Sequence, residues 1–283
     1  MERRKRARPQ PPRQGRPPRD ARPQGGPRGR PRTPGAGGGA IWLYGRHAVL
    51  AALANPARRI ERARATPAFL EAHGDALRAA GGDSAWPIDK AEPQALDRLF
   101  GSDAVHQGVA LAVRPLDAPD PAELRPVDDS AVVVVLDQAS DPRNVGAVIR
   151  AAAAFGAMAV LTTERGAPPE TGALAKAAAG ALEQVPYVQA TNLARALDAL
   201  KANGFWTVGL DGEATTPLAA APFDRPTALV LGAEGRGLRR LTAERCDALV
   251  RIPIGAGIES LNVATAAAIA LYERRRSAPG EAI

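Results

Sequence analysis

The sequence predicts an α/β protein built on a parallel sheet, on three observations. Val132 to Leu136 is an unbroken apolar run, mostly β-branched, which is typical of a strand buried on both faces. Later apolar runs alternate with alanine-rich helical segments, which indicates parallel strands connected through helices. Aromatic residues make up only 4% of the chain, which favours small side chains and close packing of helices on the sheet.

The parallel sheet is assigned to residues 131–276. The predicted strands, all short and apolar, cover 132–136, 159–161, 205–210, 229–231 and 248–252. The predicted helices start at Pro142, pass through Leu174 and Leu182, run from Asn192 to Ala202, and open at Ser260. Ligands of such sheets bind outside the carboxyl ends of the strands, so the loops after residues 136, 210, 231 and 252 are expected to surround one site.

A smaller α/β domain is predicted at residues 41–115. Its expected elements are a helix after Tyr44-Gly45-Arg46-His47, a strand at 60–65, a helix at 67–80 and an alternating strand at 109–113. Residues 116–130 are rich in Pro and Asp and are predicted to be an extended, solvated linker. Residues 277–283 are taken as a C-terminal tail.

The excess positive charge lies at the start of the chain. The chain has 37 Lys and Arg and 30 Asp and Glu. Residues 1–40 contain 12 of the basic residues and 2 of the acidic ones, so the rest of the chain has 25 basic and 28 acidic residues. This Arg-, Pro- and Gly-rich stretch has too few apolar residues for a core and is predicted to be disordered. It is either an RNA-binding arm or a solubilising tail, and the first interpretation is favoured because basic tracts commonly bind polyanions.

Composition excludes several classes of protein. The single cysteine, Cys246, rules out an intramolecular disulfide and is read as a small buried apolar residue. Three scattered histidines offer no metal-ligand cluster, so no metal site is predicted. The chain shows neither an apolar run long enough for a membrane span nor a secretory signal, so we expect a cytoplasmic protein without membrane contact.

Basic side chains share one face of the helix that starts at Pro142. Arg143, Gly146 and Arg150 stand at positions i, i+3 and i+7. A glycine costs about 1 kcal/mol relative to alanine in a helix, so its presence among alanines indicates a function. The interpretation is a surface that a sugar-phosphate backbone can approach closely, between two guanidinium groups.

The glycine-rich turn 232–237 is expected to bind a cationic or neutral ligand. It lacks the Gly-Lys-Ser/Thr of a phosphate loop and the glycine order of a dinucleotide fold, and Glu234 would repel phosphate. The domain that contains it has no histidine, so hydrolysis by an activated nucleophile is disfavoured. A group transfer that depends on alignment fits better.

Three blocks of this domain resemble the motifs of the SpoU/TrmH methyltransferases of the SPOUT superfamily. They are Asp141-Pro142-Arg143-Asn144-Val145-Gly146 with Arg150, then Leu231 to Gly237, then Ile252-Pro253-Ile254 through Ser260-Leu261-Asn262-Val263. Tyr44-Gly45-Arg46-His47 and Val105-His106-Gln107-Gly108 are similar to the L30e-like RNA-binding domain that precedes the catalytic one in this family. The resemblance covers about residues 41–276.

The resemblance implies an α/β architecture with an N-terminal L30e-like domain and a C-terminal SPOUT domain, a parallel sheet with helices on both faces. It also implies a C-terminal trefoil knot, bound S-adenosylmethionine, a homodimer and an RNA substrate. The small side chains from Ala264 to Ala270 are expected to form the dimer contact. The activity implied is ribose 2′-O-methylation, most similar to the family members that modify a guanosine of 23S rRNA.

Site residues follow from the resemblance by position. The implied catalytic residues are Asn144, Arg150, Glu234, Ser260 and Asn262. The implied cofactor-binding residues are Gly232, Ile252 and Leu261, with Gly209 and Leu210 beside them. The RNA-binding candidates are Arg46, His47, His106 and Arg143, although a structural role is the more common one for each histidine.

Several alternatives stay open at the level of sequence. The substrate could be tRNA, or the protein could be a non-catalytic RNA-binding ribosome assembly factor with the same fold. Arg150 is either the group that removes the hydroxyl proton or an anchor for the adjacent phosphate. Glu234 would order Arg150 or the positive end of the cofactor, and Glu259 departs from the small polar residue that the family places before the serine of its third motif.

Overall fold

The computed structural model describes residues 39–81, 86–255 and 257–277 of the chain. Most of the basic stretch 1–40 and of the tail 277–283 therefore lies outside the described residues. Those that are described belong to one compact unit and contain two β-sheets.

The first sheet has four strands and carries three helices. Its strands are β1 (Ile41–Tyr44), β2 (Ile60–Ala65), β3 (Ile88–Lys90) and β4 (Val109–Val113), in the order β1-β4-β2-β3. Its helices are α1 (Arg46–Ala54), α2 (Pro67–Gly81) and α3 (Pro93–Phe100). All residues of β4 are buried, so its alternating sequence does not mark an exposed face. This strand lies between β1 and β2 in the sheet. The predictions of α1, β2, α2 and β4 are confirmed, whereas β1, β3 and α3 were not predicted.

The second sheet has seven strands, all parallel. They are β5 (Val132–Leu136), β6 (Ala159–Thr163), β7 (Tyr187–Ala190), β8 (Trp206–Leu210), β9 (Thr216–Pro217), β10 (Thr227–Leu231) and β11 (Ala248–Arg251). Their order is β7-β6-β5-β10-β8-β11-β9. The predicted parallel sheet is confirmed, and the trefoil knot stays a prediction.

Helices cover both faces of this sheet, as predicted. They are α4 (Pro142–Ala154), α5 (Gly172–Ala178), α6 (Leu193–Ala202), α7 (Arg240–Ala243) and α8 (Val263–Ser277). Side chains of α4, α5 and α8 pack in one apolar cluster with Val132 and Val134, whereas those of α6 pack in a second with Val133 and Val135. Successive strand residues point to opposite faces, so α6 lies on the other side of the sheet from α4.

The helix predicted through Leu174 and Leu182 is shorter than expected. It ends at Ala178, because Ala179 and Gly180 adopt left-handed backbone conformations with φ of 51° and 94°. A side chain at Gly180 would lie 2.8 Å from Ala51 Cβ, so the turn fits closely against helix α1. Strand β7 follows and was not predicted.

The packing of α8 and of residues 116–130 differs in part from the predictions. Ala267 and Ala270 of α8 are fully buried within the chain, where α8 packs against α4, whereas Thr265 and Ile269 are exposed. The dimer contact expected along Ala264 to Ala270 stays a prediction, and only the exposed residues of this stretch are available for it. Residues 116–130 are not simply extended and solvated, because Leu124 is buried in the cluster that contains α6. Asn203 at the end of α6 donates hydrogen bonds to the carbonyl oxygens of Ala122 and Leu124, at 3.0 and 2.8 Å.

A buried ion-pair network joins the part of the chain that forms the first sheet to the part that forms the second. The Arg58 side chain has no exposed surface, and its guanidinium lies 2.7 Å from a carboxylate oxygen of Glu170 and 2.6 Å from one of Glu183. Arg58 also donates to the carbonyl oxygen of Arg114, and Asn55 donates to Glu183 at 2.8 Å. Burial raises the pKa of the Glu170 carboxyl, and the nearby Arg58 acts in the opposite direction. The carboxylates come from the segments on either side of α5, so this network joins the two sheets.

Replacing Arg58 tests this attachment. We expect Arg58→Ala to lower the free energy of unfolding by about 3–5 kcal/mol, because it leaves two carboxylates buried without their partner. Arg62→Ala is the matched control, since the Arg62–Asp89 pair is about half exposed with a separation of 3.6 Å and should contribute less than about 1 kcal/mol. Both values come from denaturant unfolding, and equal losses for the two variants would contradict a structural role of Arg58.

Candidate active site

A cavity of about 320 Å³ opens at the carboxyl end of the parallel sheet. Its wall comes from the segments after β8, β10 and β11 and from the start of α8. Three of the four loops predicted to surround the site thus line it, namely those after residues 210, 231 and 252. This volume is within the range of small-molecule sites.

The glycine-rich turn after β10 folds back on itself. Ala233 and Gly237 pair as an isolated antiparallel bridge, and the N–H of Gly237 donates to the carbonyl oxygen of Ala233 at 3.0 Å. A side chain at Gly232 would collide with the backbone of Gly237, and Gly235 and Gly237 have φ of 76° and 63°. Each glycine is therefore required by the turn, which presents bare backbone to the cavity.

A hydrogen-bonded cluster joins the three motif segments. Asn144 Nδ2 donates to Glu234 Oε2 at 3.2 Å, and Asn262 Nδ2 donates to Asn144 Oδ1 at 3.0 Å. Asn262 Nδ2 also lies 3.5 Å from Glu234 Oε2. The Oδ1 of Asn262 accepts a hydrogen bond from the N–H of Ala264 and so caps the start of α8. The structure thus brings together three of the five predicted catalytic residues, and the fourth, Ser260, lies on the cavity wall.

The Asp137–Arg239 ion pair was missed by the sequence analysis. Asp137 follows β5 directly and is 1% exposed. Its carboxylate accepts from the backbone N–H of Arg239 at 3.1 Å and from Arg239 Nε at 2.7 Å. Its own N–H donates to the carbonyl oxygen of Leu231. The pair holds the segment that follows the glycine turn against the end of β5. The sequence signal that could have predicted it is a carboxylate directly after a buried strand.

Carboxylates dominate the charge of the cavity. Asp211, Glu213, Glu234 and Glu259 line it, against a single arginine, Arg236, among the described wall residues. A cationic ligand is favoured in such a site, since opposite charge offsets the loss of hydration. Glu259 thus belongs to the cavity wall.

The predicted cofactor-binding residues divide into two groups. Leu210, Gly232, Ile252 and Leu261 line the cavity. Gly209 is absent from its described wall, because a side chain at this position would point at Leu238, Leu249 and Cys246 behind it. Cys246 is mostly buried there, and burial, followed by the charge of Asp247, raises the pKa of its thiol to about 12.

Helix α4 presents its residues differently from the prediction. Gly146 is buried, and a side chain there would lie 2.6 Å from both Ala177 Cβ and the carbonyl oxygen of Leu174. The interpretation that Gly146 faces a sugar-phosphate backbone is wrong. The absence of a side chain at Gly146 instead allows α4 to contact α5. Arg143 and Arg150 are exposed, and the Arg150 side chain makes no ion pair or hydrogen bond within the described part of the chain. Glu234 consequently does not order Arg150 in the same chain.

The two histidine candidates also differ. His47 is exposed beside Arg46 at the start of α1. His106 has both ring nitrogens engaged, since Nδ1 accepts from the N–H of Gly108 at 3.0 Å and Nε2 lies 3.2 Å from an oxygen of Asp97. No ring nitrogen of His106 is left for RNA, so the structural role fits this residue and the RNA contact does not.

In residues 39–81, 86–255 and 257–277, no three His, Cys, Asp or Glu side chains are grouped so as to hold a metal ion. Within the same ranges, no helix has the length and apolarity needed to cross a membrane.

Comparison with family models decides the classification of the chain. The model of the SpoU rRNA Methylase family matches residues 131–272, and the model for RNA 2′-O ribose methyltransferase substrate binding matches residues 42–119. The chain belongs to the SpoU rRNA methylase family. The resemblance seen in the three sequence blocks is thereby confirmed.

Curated SpoU relatives match almost over their whole length. The 23S rRNA (guanosine-2′-O-)-methyltransferase RlmB of Pseudomonas syringae pv. tomato is 38% identical over 83% of this chain and 96% of its own. The protein of the same name from Ralstonia nicotianae is 40% identical, with the same coverage.

Solved structures agree on the SpoU fold. The rRNA methyltransferase of Sinorhizobium meliloti with bound AdoMet has a TM-score of 0.71 at 24% identity, covering 84% of this chain and 87% of that one. A putative TrmH-family RNA methyltransferase of Porphyromonas gingivalis has a TM-score of 0.68 at 27% identity, covering 84% and 90%.

Proposed function

We propose that this SpoU-family protein is an S-adenosylmethionine-dependent RNA ribose 2′-O-methyltransferase that modifies a guanosine of 23S rRNA. The observation that carries the proposal is the Asn144–Glu234–Asn262 cluster, whose Glu234 also lines the cavity at the end of the sheet. The choice of 23S rRNA follows the relatives that carry that substrate in their names and align over 83% of this chain.

The cavity suits the methyl donor in size, charge and backbone exposure. Its carboxylates favour a ligand with a sulfonium and an ammonium group. The bare backbone at Gly232, with Ile252, Leu261 and Leu210 around it, would hold the donor. When bound, S-adenosylmethionine supplies the methyl group from its sulfonium.

The remaining task of the protein is to align a ribose 2′-hydroxyl and to help it lose its proton. We assign alignment to Asn144, Glu234, Ser260 and Asn262. Glu234 is the acceptor for both asparagine amides, so their orientation is set before RNA arrives. Such preorganised polar groups are the main contribution that a protein makes to a transfer of this kind.

Arg150 is assigned to the RNA side of the reaction. An arginine titrates above about 12 and is a poor base at neutral pH, so pairing with the phosphate next to the reacting ribose is the better physical role.

Arg150 does not line the described wall of the cavity in its own chain. We therefore propose a homodimer in which Arg150 acts at the cavity of the second subunit. The exposed Ile269 and Tyr272 on α8 offer apolar surface for such an assembly. We also propose a cytoplasmic location, because ribosomal RNA is the proposed substrate.

Mapping of 2′-O-methyl groups in a strain that lacks this gene tests the substrate. We expect one 2′-O-methylguanosine of 23S rRNA to disappear and to return when the gene is restored. A change confined to tRNA would contradict the assignment to rRNA. An unchanged map of both RNAs would contradict the proposed activity.

Two substitutions of Arg150 test its role. Arg150→Ala should slow methyl transfer by at least about a hundredfold, because a charged contact at the reacting ribose is lost. Arg150→Lys should keep measurable transfer, since a lysine also pairs with phosphate. Complete loss in the lysine variant with normal RNA binding would instead indicate proton removal by Arg150. Arg195→Ala, an exposed arginine on α6 at the opposite face of the sheet, is the matched control and should retain full activity.

A further inference from the structure

Basic residues of the two domains meet where β1 abuts α5. A side chain at Gly172, the first residue of α5, would collide with the carbonyl oxygen of Trp42, so the strand and the helix are in direct contact. Beside this contact, Lys176 Nζ of α5 lies 5.7 Å from the centre of the Tyr44 ring. A side chain at Gly45 would lie 3.4 Å from Lys176 Cγ. Lys176 therefore stands at the junction of the two domains.

Arginines continue this positive surface on both sides of Lys176. Toward the first domain, Arg46 follows Gly45, and its N–H donates to Gln107 Oε1 at 2.9 Å. Toward the second domain, Arg143 stands one turn before Gly146 on α4, where a side chain at Gly146 would lie 2.6 Å from Ala177 Cβ of α5. Burial raises the pKa of the Tyr44 hydroxyl, and the nearby Arg143 acts in the opposite direction. Arg150 lies two turns further along the same face of α4.

The charges of this surface are available to a ligand. Arg46, Arg143, Arg150 and Lys176 form no ion pair with any carboxylate in the described ranges 39–81, 86–255 and 257–277. By contrast, Arg58 and Arg239 are both paired with carboxylates elsewhere in the same ranges. Unpaired cations in a row attract a polyanion, since each phosphate contact releases a condensed counterion.

We propose that Arg46, Lys176 and Arg143 form one continuous phosphate-binding track for the substrate RNA, which crosses the domain junction and leads to Arg150. Lys176 is the central contact of this track, and neither the motifs nor the comparisons assign it a role. The proposal rests on the proposed function, because it takes RNA as the substrate. It adds that a single RNA strand is bound by both domains at once.

The attachment of the domains keeps this track in place. The Arg58–Glu170–Glu183 network lies on the segments that flank α5, the helix that carries Lys176. Because the junction is fixed by buried contacts, the spacing between Arg46 and Arg143 is set before RNA binds. Binding then loses less conformational entropy than it would with a freely moving domain.

Salt-dependent RNA binding tests the track. The probe is unmodified 23S rRNA from a strain without the gene, measured by filter binding between about 50 and 200 mM salt. Lys176→Met keeps the aliphatic packing on Tyr44 and removes only the charge. We expect it to weaken binding by about fivefold and to reduce the slope of log K against log salt by about one. Arg195→Met removes one exposed charge on α6 and should change neither quantity.

The possible outcomes separate the track from the function on which it rests. Equal affinity and slope for Lys176→Met and Arg195→Met would overturn the track, as would a loss of affinity without a change in slope, which indicates packing alone. Failure of the unsubstituted protein to bind rRNA would contradict the proposed function itself. Donor binding, measured by calorimetry, should be unchanged in both variants, which shows that each is folded.

Discussion

Three hydrogen-bonding side chains, Asn144, Glu234 and Asn262, hold together segments that lie about 90 and 28 residues apart in the sequence. They can meet only because β5 and β10 are adjacent and parallel, so that the segments that follow them leave the sheet at one edge. Asn262 also caps α8, which means that the start of this helix and the polar cluster are a single arrangement. The glycine turn is fastened from its other end by Asp137 and Arg239. Any shift of these segments would disturb the cavity and the cluster together.

Much of this arrangement is predictable from sequence, because its signals are local. Val132 to Leu136 predicts a fully buried strand by composition alone, and all of its residues are buried. Asp141 before Pro142 is an ordinary start of a helix, and its side chain accepts from the N–H of Arg143 at 2.8 Å. Asn192 caps α6 in the same way. Three of the catalytic candidates are then brought together because the motif blocks follow predicted strands or open a helix.

Features set by distant neighbours were predicted poorly or not at all. Gly146 was predicted to lie on an exposed surface of α4. It is a contact point with another helix, because Ala177 of α5 lies where a side chain at this position would be. Strand β7 has four residues, of which Tyr187 and Gln189 are only partly buried, so its own sequence carries little signal. The partners of Arg58 lie more than a hundred residues away and cannot be read from spacing. The location of Arg150 outside its own cavity likewise depends on how α4 is oriented, which no motif records.

The central claim is that the backbone-lined, acidic cavity at the sheet end binds a cationic methyl donor. Isothermal titration calorimetry of the purified protein with S-adenosylmethionine measures this directly. The account predicts saturable binding with one donor per cavity, and loss of that binding in a folded Gly232→Ala variant, in which the added methyl group collides with Gly237. Absence of donor binding by the unsubstituted protein, or full binding by a folded Gly232→Ala variant, would contradict it.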